Sequence, residues 1–275
     1  TISSPGFLAD VPSTEYSTDR LPLPVRMPTY VIVGASRGLG LEMVRQLAAR
    51  GEAVYACVRS TNDDLKGISG DVTVVEGVDV TTEDGMNALK KGLTGVTIDC
   101  LVNNAGSYGS MPPDGDVMKM FQAQKLDAIT PEIMRDTFEL NTIAPLRITQ
   151  TLLPQIRAPD GKVIITTSLM GSISDNTSGG SYAYRAAKAA VNQVGKSLAM
   201  DLKPKGIAAQ LIHPGAVLTG FAGDQAKIPE DFKKSMHDVV PSVHGFIQAI
   251  DATTIENTGS FIHANYGEGL KPCPW

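Results

Sequence analysis

The sequence predicts an α/β protein, a single three-layer domain in which a parallel sheet of seven strands is covered by helices on both faces. Three observations predict it. From Thr29 onward, short apolar β-branched runs alternate with segments of helical period, the pattern of strand–helix–strand units. Several of those runs are apolar throughout, as strands buried on both faces are. Between the first strand and the first helix stands a glycine turn, Gly34-Ala35-Ser36-Arg37-Gly38-Leu39-Gly40.

The elements follow in order. Val31-Ile32-Val33 lies in a strand over 29–34, and the amphipathic run from Leu41 makes a helix over 38–50 that stops at Gly51. Strands are expected at 53–58, 72–77 and 97–103, with a helix at 82–92. Pro131 after Thr130 suits a first helical turn and opens a helix over 131–156. Strands at 162–168, 207–213 and 260–263 complete the sheet, with helices at 181–203, stopped by Pro204, at 240–252, and a short one around 229–238. In such a sheet ligands sit beyond the carboxyl ends of the strands. Gly34, Asp79, Asn103, Ser168 and Pro214 all fall there, so residues far apart in sequence converge on one rim.

Two connections on that rim lack strong periodicity. One spans 107–127, with a turn at Pro112-Pro113-Asp114-Gly115 and a candidate helical face of Met118, Met120 and Phe121. The other spans 216–230 and includes Gly220, Gly223 and Pro229. Each is either a surface loop or a wall of a pocket.

A net charge of −5 over 275 residues, with no basic block, argues against nucleic-acid binding. No apolar run approaches the roughly 18–20 residues of a membrane span. No His/Cys/Asp cluster has metal-ligand spacing. Cys57 and Cys100 read as small core residues and Cys273 as a candidate surface thiol, a usage that fits a reducing compartment. Residues 1–27 carry Pro5, Pro12, Pro22 and Pro24 and no period. They form an extended arm or the remnant of a processed leader, and the domain proper is 28–275. The expected location is the cytoplasm, or an organelle if the leader was a targeting segment. Asp10, Glu15 and Asp19 do not suit a transit peptide.

Chemistry is concentrated at two places. Glycines at 34, 38 and 40 let the backbone turn tightly and let a pyrophosphate approach the amides at the helix start, where the helix dipole favours anions. Tyr184 and Lys188 are four residues apart and share one helix face. A tyrosine titrates near ~10, so it exchanges protons at neutral pH only if a neighbouring cation lowers that value. Beside a hydroxyl such as Ser168, a tuned phenol can pass a proton to or from an alcohol oxygen. Tyr182 is the competitor, but Ala186 stands where its lysine would be. His213 is expected to be a buried strand-end residue.

Together these features resemble the short-chain dehydrogenase/reductase family, from about Thr29 to the end of the chain. Further matches are Asp79-Val80, Asn103-Asn104-Ala105-Gly106, Asn141 in Phe138-Glu139-Leu140-Asn141-Thr142, Ser168 in Thr166-Thr167-Ser168-Leu169-Met170-Gly171, and His213-Pro214-Gly215 with Thr219 behind it. Gly171-Ser172-Ile173, the stretch Asn176-Thr177-Ser178-Gly179-Gly180 and the closing Pro274-Trp275 are similar to the C-factor-like or sniffer-like carbonyl reductase branch.

The resemblance implies a Rossmann-type fold and NADP(H)-dependent interconversion of a carbonyl, an aldehyde or ketone, and an alcohol. It implies a catalytic set of Asn141, Ser168, Tyr184 and Lys188. Tyr184 is the general acid or base. Lys188 lowers its pKa and bonds the nicotinamide ribose. Ser168 orients the carbonyl. Asn141 distorts its helix and holds a water in a relay to Lys188. Cofactor contacts are implied at Gly34, Ser36, Arg37, Gly38, Leu39, Gly40, Arg59, Asp79, Val80, Asn103, Ala105, Gly106, Tyr184, Lys188, Pro214, Gly215, Val217 and Thr219. Substrate contacts are expected at Ser168, Met170, Tyr182, Leu218 and Phe221.

NADP(H) is favoured over NAD(H) by charge. The second strand ends in Arg59 with no acid to hold a ribose diol, and Arg37 adds a second cation for a 2′-phosphate. Asp63 and Asp64 lie too far along to replace that acid. A homodimer is the expected assembly, with the helices of Asn141 and Tyr184 forming the shared surface. The alternative is an NADP-binding redox sensor or scaffold of the same fold that does no chemistry. The epimerase/dehydratase branch is disfavoured, because its glycine turn is usually Gly-x-x-Gly-x-x-Gly and its chains are longer.

Overall fold

The computed structural model describes residues 26–109, 114, 116–219, 221, 228–265 and 269–275. Most of the arm expected over 1–27, the turn at 112–115 apart from Asp114, and Gly220 and Gly223 lie outside the described residues.

Strand–helix alternation builds the sheet. In chain order the elements are β1 Thr29–Val33, α1 Gly38–Ala49, β2 Ala53–Cys57, α2 Asp63–Lys66, β3 Val72–Val75, α3 Glu83–Gly92, β4 Cys100–Asn103 and α4 Val117–Gln122. Then come α5 Pro131–Phe138, α6 Ala144–Leu152, β5 Lys162–Thr166, α7 Tyr182–Leu202, β6 Ala208–His213, α8 Glu230–Lys233, α9 Val239–Asp251, β7 Phe261–Asn265 and β8 Gly269–Pro272. The sheet order is β3-β2-β1-β4-β5-β6-β7-β8. The first seven strands are parallel, giving the Rossmann-type arrangement.

The core is two apolar layers divided by the sheet. Ile32, Met43, Leu47, Phe246 and Ile250 fill the side of α1 and α9. Val31, Leu89, Leu101, Ile148 and Leu152 fill the side of α3 and α6. Side chains alternate across each strand, so Val31 and Ile32 serve opposite layers.

The seven expected parallel strands are all present, one strand is added to them, and two other expectations need correction. The sheet has an eighth strand, because β8 pairs antiparallel with β7. Its four residues are exposed and include Gly269 and Pro272, so no apolar period announces it. The helix expected over 131–156 is broken. A π turn, Glu139–Ile143, separates α5 from α6, and a 3-10 turn, Leu153–Gln155, ends the run at Pro154. Cys273 is not a surface thiol but is buried beside Ile165, Val191, Leu211 and Phe261. Burial pushes its pKa up to about 11.

Among the described residues, no helix is long and apolar enough to cross a membrane, and no group of three or more metal-ligating side chains gathers.

Candidate active site

The glycine turn packs as its composition requires. A Cβ on Gly34, which has φ +90°, would lie 2.7 Å from the Ala105 Cα, and one on Gly40 would collide with the Gly34 carbonyl oxygen. At the start of α1, Arg37 provides no side-chain cap, and the first turn carries no acid. The amides there are left for an anion. Gly38 faces the far end of the rim, since a Cβ on it would lie 3.2 Å from the Thr219 Cβ.

Asn104 ties this turn to the next strand end. Its side-chain amide donates to the Gly34 carbonyl at 2.9 Å, and its oxygen accepts from the Thr166 hydroxyl at 3.3 Å. Thr166 in turn accepts at its carbonyl from the Lys188 ammonium at 3.0 Å. A continuous set of bonds thus runs from the glycine turn to Lys188.

Tyr184 and Lys188 both point inward from the first turns of α7 and are buried. The Lys188 Nζ lies 5.8 Å from the centre of the Tyr184 ring. Ser168 ends the segment after β5, and its hydroxyl accepts from the Met170 amide at 3.1 Å. Burial raises the Tyr184 phenol well above its ordinary range, opposed by a hydrogen bond with the Ser168 hydroxyl and aided by Tyr108. Burial lowers Lys188 to about 8. The Lys188 ammonium is bonded to the Thr166 carbonyl, and burial is the largest influence on the phenol.

Asn141 sits in the π turn. Its side-chain nitrogen donates to the Thr137 and Ser107 carbonyls, each at 2.8 Å, and its oxygen accepts from the Ser107 amide at 3.4 Å. The distortion thus presents a polar side chain that holds down the segment after β4. A Cβ on Gly106 would lie 3.0 Å from the Asn141 Oδ1 and 3.8 Å from both the Lys188 Nζ and the Phe221 ring, so glycine keeps that space open.

Arg37 and Arg59 are exposed and flank one corner. The turn joins the end of β2 through the Gly34 amide, which donates to the Cys57 carbonyl at 3.0 Å. Asn62 donates to the Ser36 carbonyl at 2.8 Å across the same corner. Neither arginine forms an ion pair among the described residues. Asp79 is held below its ordinary range by the Thr81 hydroxyl and amide, with a smaller contribution from Arg59. Val80 is buried behind it. Ser36 and Leu39 are half-buried in the turn. Pro214, Gly215 and Val217 follow β6, where Pro214 borders a cavity of about 320 Å³ with Met236, His237 and Asp238.

Not every expected residue turns to this rim. The Asn103 side chain is buried beneath it, donating to the Thr149 hydroxyl at 3.2 Å, because successive side chains of β4 alternate between faces. Tyr182 is 41% exposed and lines a separate groove with Ile129, Pro131 and Met134. Two helical residues apart puts it roughly 200° around the helix from Tyr184. Leu218 is half-buried, and Met170 packs against the cluster of Tyr108, Met120 and Tyr184. His213 is a strand-end residue whose ring stacks on His263 at 4.7 Å. Its pKa is lowered to about 3 by burial and by the neighbouring His263 and Lys188.

Two residues went unnoticed in the sequence. Tyr108 stacks on Tyr184, and the buried Gln124 accepts from the Tyr184 amide at 3.0 Å. The signal for Tyr108 is its position two residues past Gly106 on the rim. Gln124 carries no such signal.

A family model for short chain dehydrogenases matches residues 28–229. The chain is 35% identical over 243 residues to 1-hydroxy-2-glutathionyl-2-methyl-3-butene dehydrogenase of Rhodococcus sp. (strain AD45), covering 87% of this chain and 97% of that protein. It is 37% identical over 165 residues to C-signal of Myxococcus xanthus, covering 60% and 87%. Among solved structures it resembles a carbonyl reductase from Pseudomonas aeruginosa PAO1 in complex with NADP (TM-score 0.74, 27% identity, 90% of this chain and all, 100%, of that one). It also resembles the carbonyl reductase Sniffer of D. melanogaster (TM-score 0.73, 25% identity, 91% and 100%).

Proposed function

The chain belongs to the short chain dehydrogenase family and is an oxidoreductase, and we propose that it interconverts a carbonyl and an alcohol with NADP(H), using Tyr184 as the proton donor and acceptor. The observation that carries the proposal is the burial of Tyr184, Lys188, Ser168 and Asn141, with the Tyr184 phenol bonded to the Ser168 hydroxyl and the Lys188 Nζ 5.8 Å from the centre of the Tyr184 ring.

The residues present fit a nicotinamide dinucleotide phosphate. Gly34 and Gly40 let the turn pack tightly, since a Cβ at either would collide with Ala105 or the Gly34 carbonyl, and the start of α1 offers uncapped amides. Arg37 and Arg59 supply two cations for a 2′-phosphate, and no acid ends β2. Relatives solved with bound NADP support the same choice. When bound, the cofactor supplies the hydride.

The remaining work falls to the chain. Tyr184 gives its proton to the carbonyl oxygen in reduction and, as the phenolate, takes a proton from the alcohol in oxidation. Ser168 holds the same oxygen and shares its developing charge. Lys188 keeps a positive charge beneath the site up to a pH of about 8. Asn141 fixes the Ser107 segment and offers a polar group facing Lys188 across the Gly106 space. Met170 and Phe221 line the substrate side. The proposal extends to a homodimer formed through α5 and α7, supported by the exposed Phe138, Ile143 and Tyr182.

The test is loss of NADPH absorbance over a panel of aldehydes and ketones, run in parallel with NADH. Turnover with NADPH is expected. Tight NADPH binding with no turnover of any carbonyl or alcohol would instead mark a binding module.

A further inference from the structure

The Tyr108 ring stacks on the Tyr184 ring. Their ring centres are 4.7 Å apart and their planes 28° from parallel. Phe121 stands edge-on to Tyr108 at 4.9 Å and 88°, and Phe221 approaches Tyr184 at 6.0 Å and 62°. These separations fall within the ~4.5–7 Å that aromatic pairs favour. Met170 packs on the same cluster.

The Tyr108 ring is not a loose loop residue. It is only 8% exposed. Its hydroxyl is bonded to the Ser181 hydroxyl, and its carbonyl accepts from the Gln124 side-chain amide. The Gln124 oxygen accepts in turn from the Tyr184 amide at 3.0 Å. Gln124 is 1% exposed, so a fully buried polar side chain is committed to tying Tyr108 to the start of α7. On the other flank, Asn141 holds the Ser107 carbonyl. With its hydroxyl engaged by Ser181, one face stacked on Tyr184 and Phe121 edge-on, what Tyr108 offers to a ligand at Tyr184 is the remaining surface of its ring.

We infer that Tyr108 is a specificity-determining residue, selecting substrates whose carbonyl is attached to a flat unsaturated group over those carrying a saturated one. A planar group can lie against the Tyr108 and Phe221 rings while its carbonyl reaches Tyr184 and Ser168. A saturated ring of similar volume is thicker and has no π face to match. The inference rests on the proposed role of Tyr184.

The test compares benzaldehyde with cyclohexanecarboxaldehyde, which are matched in size, for the full chain with NADPH. The intact protein, Tyr108→Phe and Tyr108→Leu are each measured. Tyr108→Leu is expected to lower kcat/KM for benzaldehyde about tenfold, equal to about 1.4 kcal/mol, mainly through KM, and to leave cyclohexanecarboxaldehyde within about threefold. Tyr108→Phe keeps the ring and is expected to keep the preference. Equal losses for both aldehydes in Tyr108→Leu, or an unchanged ratio, would overturn the inference. If the intact protein reduces neither aldehyde, Tyr108 is judged by binding alone, and the proposed function stands or falls on the wider carbonyl panel. Ligand-observed NMR with NADP present should show benzyl alcohol bound more tightly than cyclohexylmethanol, with the difference lost in Tyr108→Leu. No difference in the intact protein would overturn the inference on that measure too.

Discussion

The Lys188 ammonium donates to the Thr166 carbonyl at 3.0 Å, so the cation nearest Tyr184 is tied to the end of β5 rather than to the phenol. This makes Lys188 a fixed charge beneath the site, and its burial has a thermodynamic consequence.

Lys188 is lowered by burial from the ordinary 10.5 to about 8. Between those values the folded protein binds fewer protons than the unfolded chain, so the lysine's contribution to stability improves as pH rises through the window. Below about 8 the full cost of charging a buried amine is present. The melting temperature of the intact protein minus that of Lys188→Met should therefore become more positive as pH rises across that window. A difference that does not move with pH would mean that Lys188 titrates as an exposed lysine does.

Asn141 donates to two carbonyls from within the π turn, and it is 1% exposed. Asn141→Ala leaves the Thr137 and Ser107 carbonyls without that partner. A loss of ~1–3 kcal/mol in denaturant unfolding is expected, the usual cost of stranding buried polar groups. A loss below about 0.5 kcal/mol would mean that the π turn is held by packing alone.

The cofactor corner can be tested by charge removal. Arg37→Ala combined with Arg59→Ala should weaken NADPH binding far more than NADH binding. At ~1.5–3 kcal/mol per charge-assisted bond, the preference should fall by about a hundredfold or more. Equal weakening of both cofactors, measured by titration, would remove the arginines from that role.

Much of this was legible in the sequence because it depends on short-range signals. Val31-Ile32-Val33 and the glycines after it specify a strand, a turn and a helix start within a dozen positions, and the structure places them so. The distortion at Asn141 was expected and is a π turn. The extra strand was not legible, because Gly269–Pro272 is held by pairing with β7 and not by an apolar pattern of its own. The face that Tyr182 takes was likewise not legible. Proximity in sequence to Tyr184 says nothing about helix face, and Tyr182 turns to a groove with Pro131 and Met134. Asn103 is the strand counterpart, with its side chain beneath the rim and that of Asn104 on it. Tyr108 and Gln124 escaped because their roles come from long-range contacts with α7.

The most direct test of the account is single-turnover oxidation of saturating NADPH by a reactive aldehyde, comparing the intact protein with Tyr184→Phe and Tyr182→Phe. Tyr184→Phe should bind NADPH normally and lose roughly two to four orders of magnitude in rate, the scale of a positioned proton donor. Tyr182→Phe should stay within a few-fold of the intact protein. A Tyr184→Phe rate within a few-fold of the intact protein would contradict the assignment of Tyr184 as the acid.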